Sequence, residues 1–205
     1  MTGRYSVRSG VYPGVFKPDD LGGLPQTEKT LATLLGEAGY TSALVGKWHL
    51  GVGKNQEHLP TNHGFDEYYG IPYSHDMCPC LTCFYPNVSC FDNCRTGLVG
   101  CPLFDGDTIV EQPTDLLTLS DRFTNKAVEF ITNKAAENTP FFLEVAYHQT
   151  HHPQFASKDF YKKSLRGTFG DALMEMDHSI GQIMKALQET GQESNTIVWF
   201  TSDNG

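Results

Sequence analysis

The chain has 205 residues, 39% of them hydrophobic, and a formal net charge of −9 with its histidines neutral. That length fits one ordinary domain or a large part of a bigger one. The acidic balance and the lack of a Lys/Arg cluster argue against nucleic acid as the main partner. No run of about 18 apolar residues is present to span a membrane, and Met1-Thr-Gly-Arg-Tyr-Ser has no apolar signal-peptide core. A small anionic substrate stays compatible, because a site on an acidic protein can be locally positive.

Residues 1–26, rich in Gly, Pro and Arg, read as loop. A helix is predicted over 28–38. Leu31, Leu34, Leu35 and Ala38 fall at i, i+3, i+4 and i+7, forming an apolar face, and Gly39 is placed to end it. A short strand at 41–45 follows. Residues 50–118 show little periodicity, and a long stretch of that kind in a compact domain is usually functional or disulfide-held. Ser120 is placed to cap a helix running to about Ala136, with Phe123, Ala127, Phe130 and Ile131 inward. Beyond Pro140, Phe141–Tyr147 is an aromatic and apolar strand candidate. Phe169–Glu189 is the clearest helix, with a stripe of Leu173, Met176, Ile180, Ile183, Met184 and Leu187, and Gly191 to stop it. The stripe's two methionines, Met176 and Met184, read as core rather than ligands. Thr196–Thr201 is expected to be the last strand. Helices alternating with short apolar strands predict an α/β fold with a largely parallel sheet.

Three predicted strands end in polar clusters: Gly46-Lys47-Trp48-His49, His148-Gln149-Thr150-His151-His152-Pro153 and Ser202-Asp203-Asn204-Gly205. In a parallel sheet these ends share one edge, where ligands bind. Asp203 and Asn204 offer hard oxygens suited to Ca²⁺ or Mg²⁺. Lys47 is a compact cation able to hold an anionic oxygen, and His49 and His151 can move protons near neutral pH. Taken singly, an Asp-Asn-Gly is most often a turn and a lone Lys a solvated surface group; the joint placement argues for a site. His58, His63 and His178 lack such context and read as structural or surface residues.

Cys78, Cys80, Cys83, Cys90, Cys94 and Cys101 lie in one segment rich in Pro, Asn and Asp. An even count there reads as a local disulfide knot, whose pairing the count leaves open. The rival reading is a zinc site through Cys80-x-x-Cys83 and Cys90-x3-Cys94. Asn87-Val88-Ser89 is a glycosylation sequon in the same loop and fits an exported protein.

Gly39 to His49, Gly-Tyr-Thr-Ser-Ala-Leu-Val-Gly-Lys-Trp-His, resembles a signature of the sulfatase family. Met-Thr-Gly-Arg at 1–4, Val11–Val15, Gly22–Pro25, Gly70–Asp76, Thr150–Phe155 and Phe200–Gly205 resemble further segments of its arylsulfatase branch, in order and across essentially the whole chain. The resemblance implies an alkaline-phosphatase-like fold: a mixed, largely parallel sheet flanked by helices. It implies a sulfuric ester hydrolase that uses a formylglycine nucleophile and one Ca²⁺. Lys47 and Ser74 would bind the sulfate, together with His151, which is also the candidate general acid. His49 would assist the formylglycine. Asp203 and Asn204 would be two of the calcium ligands. The same resemblance implies the pairs Cys80–Cys94, Cys83–Cys90 and Cys78–Cys101. It also implies a sulfated lipid, sugar or aryl substrate and a lysosomal or secreted location.

The family's Cys-x-Pro-Ser-Arg motif and the strand bearing a calcium-binding Asp-Asp pair are expected ahead of Met1, and a second sulfate-binding lysine beyond Gly205. Residues 1–205 are therefore expected to be part of a catalytic domain, incomplete at both ends, with 78–101 as a disulfide-rich insertion. Without the nucleophile the chain as given is predicted to lack turnover and to be marginally stable. The competing readings are a non-catalytic relative or secreted binding module, and a phosphoester hydrolase of the same superfamily. Oligomeric state is not legible.

Overall fold

The computed structural model describes residues 1–78 and 100–203. Its strands are β1 (Thr41–Lys47), β2 (Glu67–Ile71), β3 (Leu103–Asp105), β4 (Thr108–Glu111) and β5 (Phe141–Ala146), in the sheet order β4-β3-β2-β1-β5. β1 runs parallel to both neighbours, β2 and β5. The β2–β3 and β3–β4 pairings are antiparallel. The sheet is mixed, as expected, with its parallel part around β1.

Helices α1 (Ser6–Ser9), α2 (Leu31–Glu37), α3 (Leu119–Glu137) and α4 (Gly167–Glu189) accompany the sheet. Strand side chains alternate between two cores. Val45, Ile71 and Leu103 pack with Leu119 and Phe123 of α3. Leu44, Tyr68 and Phe104 pack with Leu24, Ala32, Trp48 and Phe65. Each fully buried side chain of this size contributes about 1.5–3 kcal/mol, so the sheet is held from both faces.

Two glycines set the spacing around β1. Gly46 has φ 124°, and a Cβ there would lie 2.0 Å from the Ala146 carbonyl oxygen. A Cβ on Gly70 would lie 1.8 Å from the Gly46 carbonyl oxygen. Both contacts are with backbone, which cannot swing away.

The expected inward face of α2 is corrected. Ala32 is buried, whereas Leu31 and Leu34 are 45% and 49% exposed. The helix docks through its Thr30 end instead. Thr30 Oγ1 accepts from the Thr33 N–H at 3.1 Å and donates to the His63 carbonyl at 2.6 Å. That short linkage brings Ala32 inward and turns the leucines out.

Ser120 does not cap α3. A 3₁₀ turn, Leu116–Thr118, precedes the helix, and Asp115 caps that turn by accepting from the Leu117 N–H at 3.1 Å. Ser120 thus falls inside the helix, where Phe123, Ala127, Phe130 and Ile131 are buried. The stripe on α4 is also partly corrected. Leu173 is 40% exposed, while Asp171, Glu175 and Ser179 are buried with Ala172, Ala186 and Leu187. Much of the inner line of α4 is polar, which an apolar periodicity cannot reveal.

Thr196–Thr201 forms no strand, contrary to expectation. Ile197 and Trp199 are 93% and 84% exposed, and no strand pairs with the segment among the described residues. Apolar composition marks a strand candidate, but only a neighbouring backbone supplies the ladder hydrogen bonds. Two of the three expected strand ends therefore meet on the sheet, and the third does not join them.

Candidate active site

Because β2 and β5 are parallel to β1, the C-terminal ends of all three lie on one edge. The peptide after β1 stays beside β2's exit: the Trp48 N–H donates to the Ile71 carbonyl and the His49 N–H to the Pro72 carbonyl, each at 3.0 Å. Alternation then separates the chemistry from the anchor. Trp48 is buried in the core with Leu44, and its Nε1 donates to the His58 carbonyl at 2.8 Å. Lys47 and His49 flank that anchor, with His49 in the left-handed region at φ 62°.

β2 delivers Ser74, His75 and Asp76. Ser74 and His75 are each 1% exposed, and Ser74 Oγ has no hydrogen-bond partner among the described residues. Tyr73 braces this exit, its hydroxyl accepting from the Cys101 N–H at 2.6 Å, and burial pushes that phenol up to about 12. Cys101 is bonded to Cys78 with a Cα–Cα distance of 4.9 Å, which closes the base of the 78–101 insertion. Cys80, Cys83, Cys90, Cys94 and Asn87 lie outside the described residues.

β5 delivers His148 and His151. His75 is the hub: its ring centroid is 5.4 Å from His148, 5.6 Å from His151 and 5.2 Å from Phe155. His148 stacks on Phe155 at 5.3 Å. With Gln149, these residues line a shallow recess.

Electrostatics tie the groups together. Burial, then the Lys47 ammonium, holds His49 below its usual range. Burial pushes His75 down to about 4, with smaller contributions from His151 and Lys47. His148 is pushed well down by burial, then by His75 and Lys47. The Lys47 charge is felt at all three rings, opposed at His49 and His75 by the Asp76 carboxylate.

Hydrogen bonds fix which ring nitrogens carry protons. His49 Nε2 faces the Phe16 carbonyl at 3.2 Å, so it is the donor and Nδ1 holds the lone pair. His151 Nδ1 lies 2.6 Å from the His152 carbonyl and 3.8 Å from Asp76 Oδ1. Both neighbours are acceptors, so Nδ1 donates and Nε2 is left for proton exchange. His151 is 45% exposed at its side chain, as a group that meets a ligand must be.

Lys47, His49, Ser74 and His151 are thus placed on one edge. His75 and Asp76 were not singled out from the sequence, because β2 sits in the stretch read as aperiodic. The available signal was Tyr68-Tyr69-Gly-Ile-Pro, an aromatic run closed by a breaker.

Residues 1–205 match the Sulfatase family. The chain belongs to the sulfatase family. Bovine (Bos taurus) arylsulfatase A is 46% identical over 207 residues, covering all of this chain and 41% of that protein. Mouse (Mus musculus) N-acetylgalactosamine-6-sulfatase is 40% identical over 212 residues, again covering all of this chain and 39% of that protein. Among solved structures, the PsFucS1 sulfatase from Pseudoalteromonas sp. superposes with a TM-score of 0.73 at 26% identity, covering 93% of this chain and 41% of that one. The chain spans about two fifths of the length of the curated relatives it matches.

A sulfatase reading raises the question of a metal. Asp203 is exposed, and Asn204 lies outside the described residues. Among the described residues no group of three or more His, Cys, Asp or Glu is arranged to hold an ion. Calcium takes six to eight oxygens, and the described residues alone do not assemble that set.

Proposed function

We propose that the chain is part of the catalytic domain of a sulfuric ester hydrolase and forms one wall of its sulfate pocket. The observation that carries this is the convergence of Lys47, His49, Ser74 and His151 where three parallel strands end. Lys47 supplies the positive charge and the Ser74 hydroxyl a donor for sulfate oxygens. His49, kept neutral and hydrogen-bonded through Nε2, offers its Nδ1 lone pair as a base. His151 presents Nε2 to the bridging oxygen. It gives its proton there as the S–O bond breaks, so the alcohol leaves neutral and the imidazole is left neutral.

The nucleophile in this reading is a formylglycine made from a cysteine, which supplies a hydrated aldehyde for attack on sulfur. All six cysteines of the sequence fall in 78–101, and none begins a Cys-x-Pro-Ser-Arg motif. Residues 1–205 alone are therefore proposed to be inactive. In the full-length protein Asp203 and Asn204 would give two of the oxygens that hold a Ca²⁺, which would supply Lewis-acid chemistry there. The substrate is a sulfated sugar, lipid or aryl alcohol. Support for a sugar comes from a relative named for N-acetylgalactosamine 6-sulfate chemistry and from a structural neighbour solved with k-i-k-neocarrahexaose. A lysosomal or secreted location is supported by the Cys78–Cys101 disulfide, because such bonds persist in oxidising compartments. No helix among the described residues is long and apolar enough to cross a membrane.

The test compares aryl sulfate and aryl phosphate hydrolysis by the full-length protein, its Lys47→Ala variant and residues 1–205. The expected result is sulfate-selective turnover in the first alone. Preference for the phosphate, or turnover by residues 1–205 above the Lys47→Ala control, would overturn the reading.

A further inference from the structure

Glu175 lies on α4, outside the three strand ends that form the recess, and is 3% exposed. A buried carboxylate is costly unless its oxygens are hydrogen-bonded. Both are. Oε1 accepts the Ser157 backbone N–H at 3.0 Å. Oε2 accepts Gln149 Nε2 at 3.0 Å and Ser120 Oγ at 3.1 Å.

These partners bracket the functional segment. Gln149 is two residues before His151 and Ser157 six residues after it. One carboxylate thus pins both ends of the excursion that carries His151 and ties it to α3 through Ser120. The hydroxyl of Ser120 has a single proton, and that proton goes to Glu175. Ser120 Oγ therefore accepts from Gln149 Nε2 and from His148 Nε2, the latter at 3.4 Å. This fixes neutral His148 as its Nε2–H form, turned against Phe155 and His75. The middle of the segment is held separately, where His75 Nε2 donates to the Pro153 carbonyl at 3.1 Å.

We propose that Glu175 is a positioning residue that sets where His151 stands in the recess. It touches no substrate. It acts by clamping the 149–157 excursion at both ends, so that Nε2 of His151 meets the bridging oxygen of a sulfate ester. This inference rests on the reading of His151 as the proton donor to the leaving group. A buried helix-borne carboxylate suits the task, because a group held on a rigid element places a loop more precisely than the loop places itself.

The experiment uses the full-length protein with Glu175→Ala, Glu175→Gln and His151→Ala variants. Each is assayed on two sulfate esters: an aryl ester with a good leaving group, and a sugar or alkyl ester with a poor one. Loss of folded protein lowers both rates equally. Displacement of the proton donor lowers the poor-leaving-group rate selectively. Glu175→Ala is expected to lower kcat on the poor ester about tenfold more than on the good one. Glu175→Gln keeps an acceptor for Ser157 and is expected to reverse at least half of that selective loss on a logarithmic scale. Hydrogen exchange of the Ser157 amide, which needs no turnover, is expected to quicken about tenfold in Glu175→Ala. Selective loss in His151→Ala with equal losses in Glu175→Ala would overturn the positioning role alone. Equal losses in His151→Ala would overturn the proton-donor reading and this role with it. An unchanged Ser157 exchange rate would overturn the clamp whatever the kinetics.

Discussion

Asp76 Oδ1 lies 3.8 Å from Nδ1 of His151 and is buried without a hydrogen-bond partner among the described residues. An orphaned carboxylate oxygen beside an imidazole is an orienting group for that ring. In the full-length protein Asp76→Asn is expected to lower kcat on a sulfate ester by about 10- to 100-fold, with KM changed less than threefold. An Asp76→Asn enzyme with wild-type kcat on a poor leaving group would rule out an orienting role.

Lys47 is expected to act as a point charge, without a fork of donors. Lys47→Ala should weaken inhibition by inorganic sulfate by more than tenfold. Lys47→Arg should not restore it, because the guanidinium is larger and differently shaped. The same Lys47→Ala change should raise the titration midpoint of His49, since the ammonium helps depress it. Imidazole NMR titration reads this directly, and a midpoint that stays put or falls would refute the electrostatic coupling.

Acid should destabilise the fold through two buried histidines. Burial pushes both His63 and His75 down to about 4, below the usual 6.5 of an unfolded histidine. Their folded pKa values are depressed, so the stabilisation is present above pH 6.5 and is lost as pH falls from there to about 4. Each contributes on the order of 3 kcal/mol across that window. Both ring nitrogens of His63 are buried without partners among the described residues, and His63→Phe removes them in nearly the same volume. This variant is expected to be more stable at pH 5 and to show a flatter dependence of denaturation midpoint on pH. Equal acid sensitivity in His63→Phe and wild type would exclude His63 as a source.

Gly70→Ala should cost about 1–3 kcal/mol, as overpacking does, because the added Cβ meets the Gly46 carbonyl with no flexible side chain to yield. A denaturant melt of Gly70→Ala that overlays wild type would contradict the close approach of β1 and β2.

The bond between Cys78 and Cys101 closes a sequence separation of 23 residues. Cys78→Ser with Cys101→Ser is expected to cost about 3 kcal/mol by the loop-entropy model. It should also loosen Tyr73, whose hydroxyl accepts from the Cys101 N–H. Thermal melts of the double variant and of wild type under reducing conditions should agree; a double variant as stable as oxidised wild type would count against it.

Much of the fold and part of the site were legible in the sequence, for reasons that differ by element. β5 follows from its apolar run, and the α3 face from the 3.6-residue spacing of Phe123, Ala127, Phe130 and Ile131, which are buried. The Lys47 and His49 positions follow from a strand that ends in glycine. β2 was not read, since Tyr68-Tyr69-Gly70-Ile71 is short and half aromatic. His75 and Asp76 went unread with it. The inner line of α4 was misread because Asp171, Glu175 and Ser179 are buried by hydrogen bonds, which carry no periodic apolar mark. The strand expected at 196–201 shows the complementary limit: composition describes one chain segment, whereas pairing belongs to two.

Trp48 follows the last residue of β1, between Lys47 and His49, and is buried with Leu44. A slip of β1 by one residue against β2 and β5 would carry the indole toward the recess and the ammonium into an apolar core. A residue with a Cβ would then stand in the place of Gly46, where a Cβ lies 2.0 Å from the Ala146 carbonyl oxygen. Pocket charge and strand register are therefore a single variable in this protein. A misregistered chain would be betrayed by the loss of anion binding together with the exposure of tryptophan.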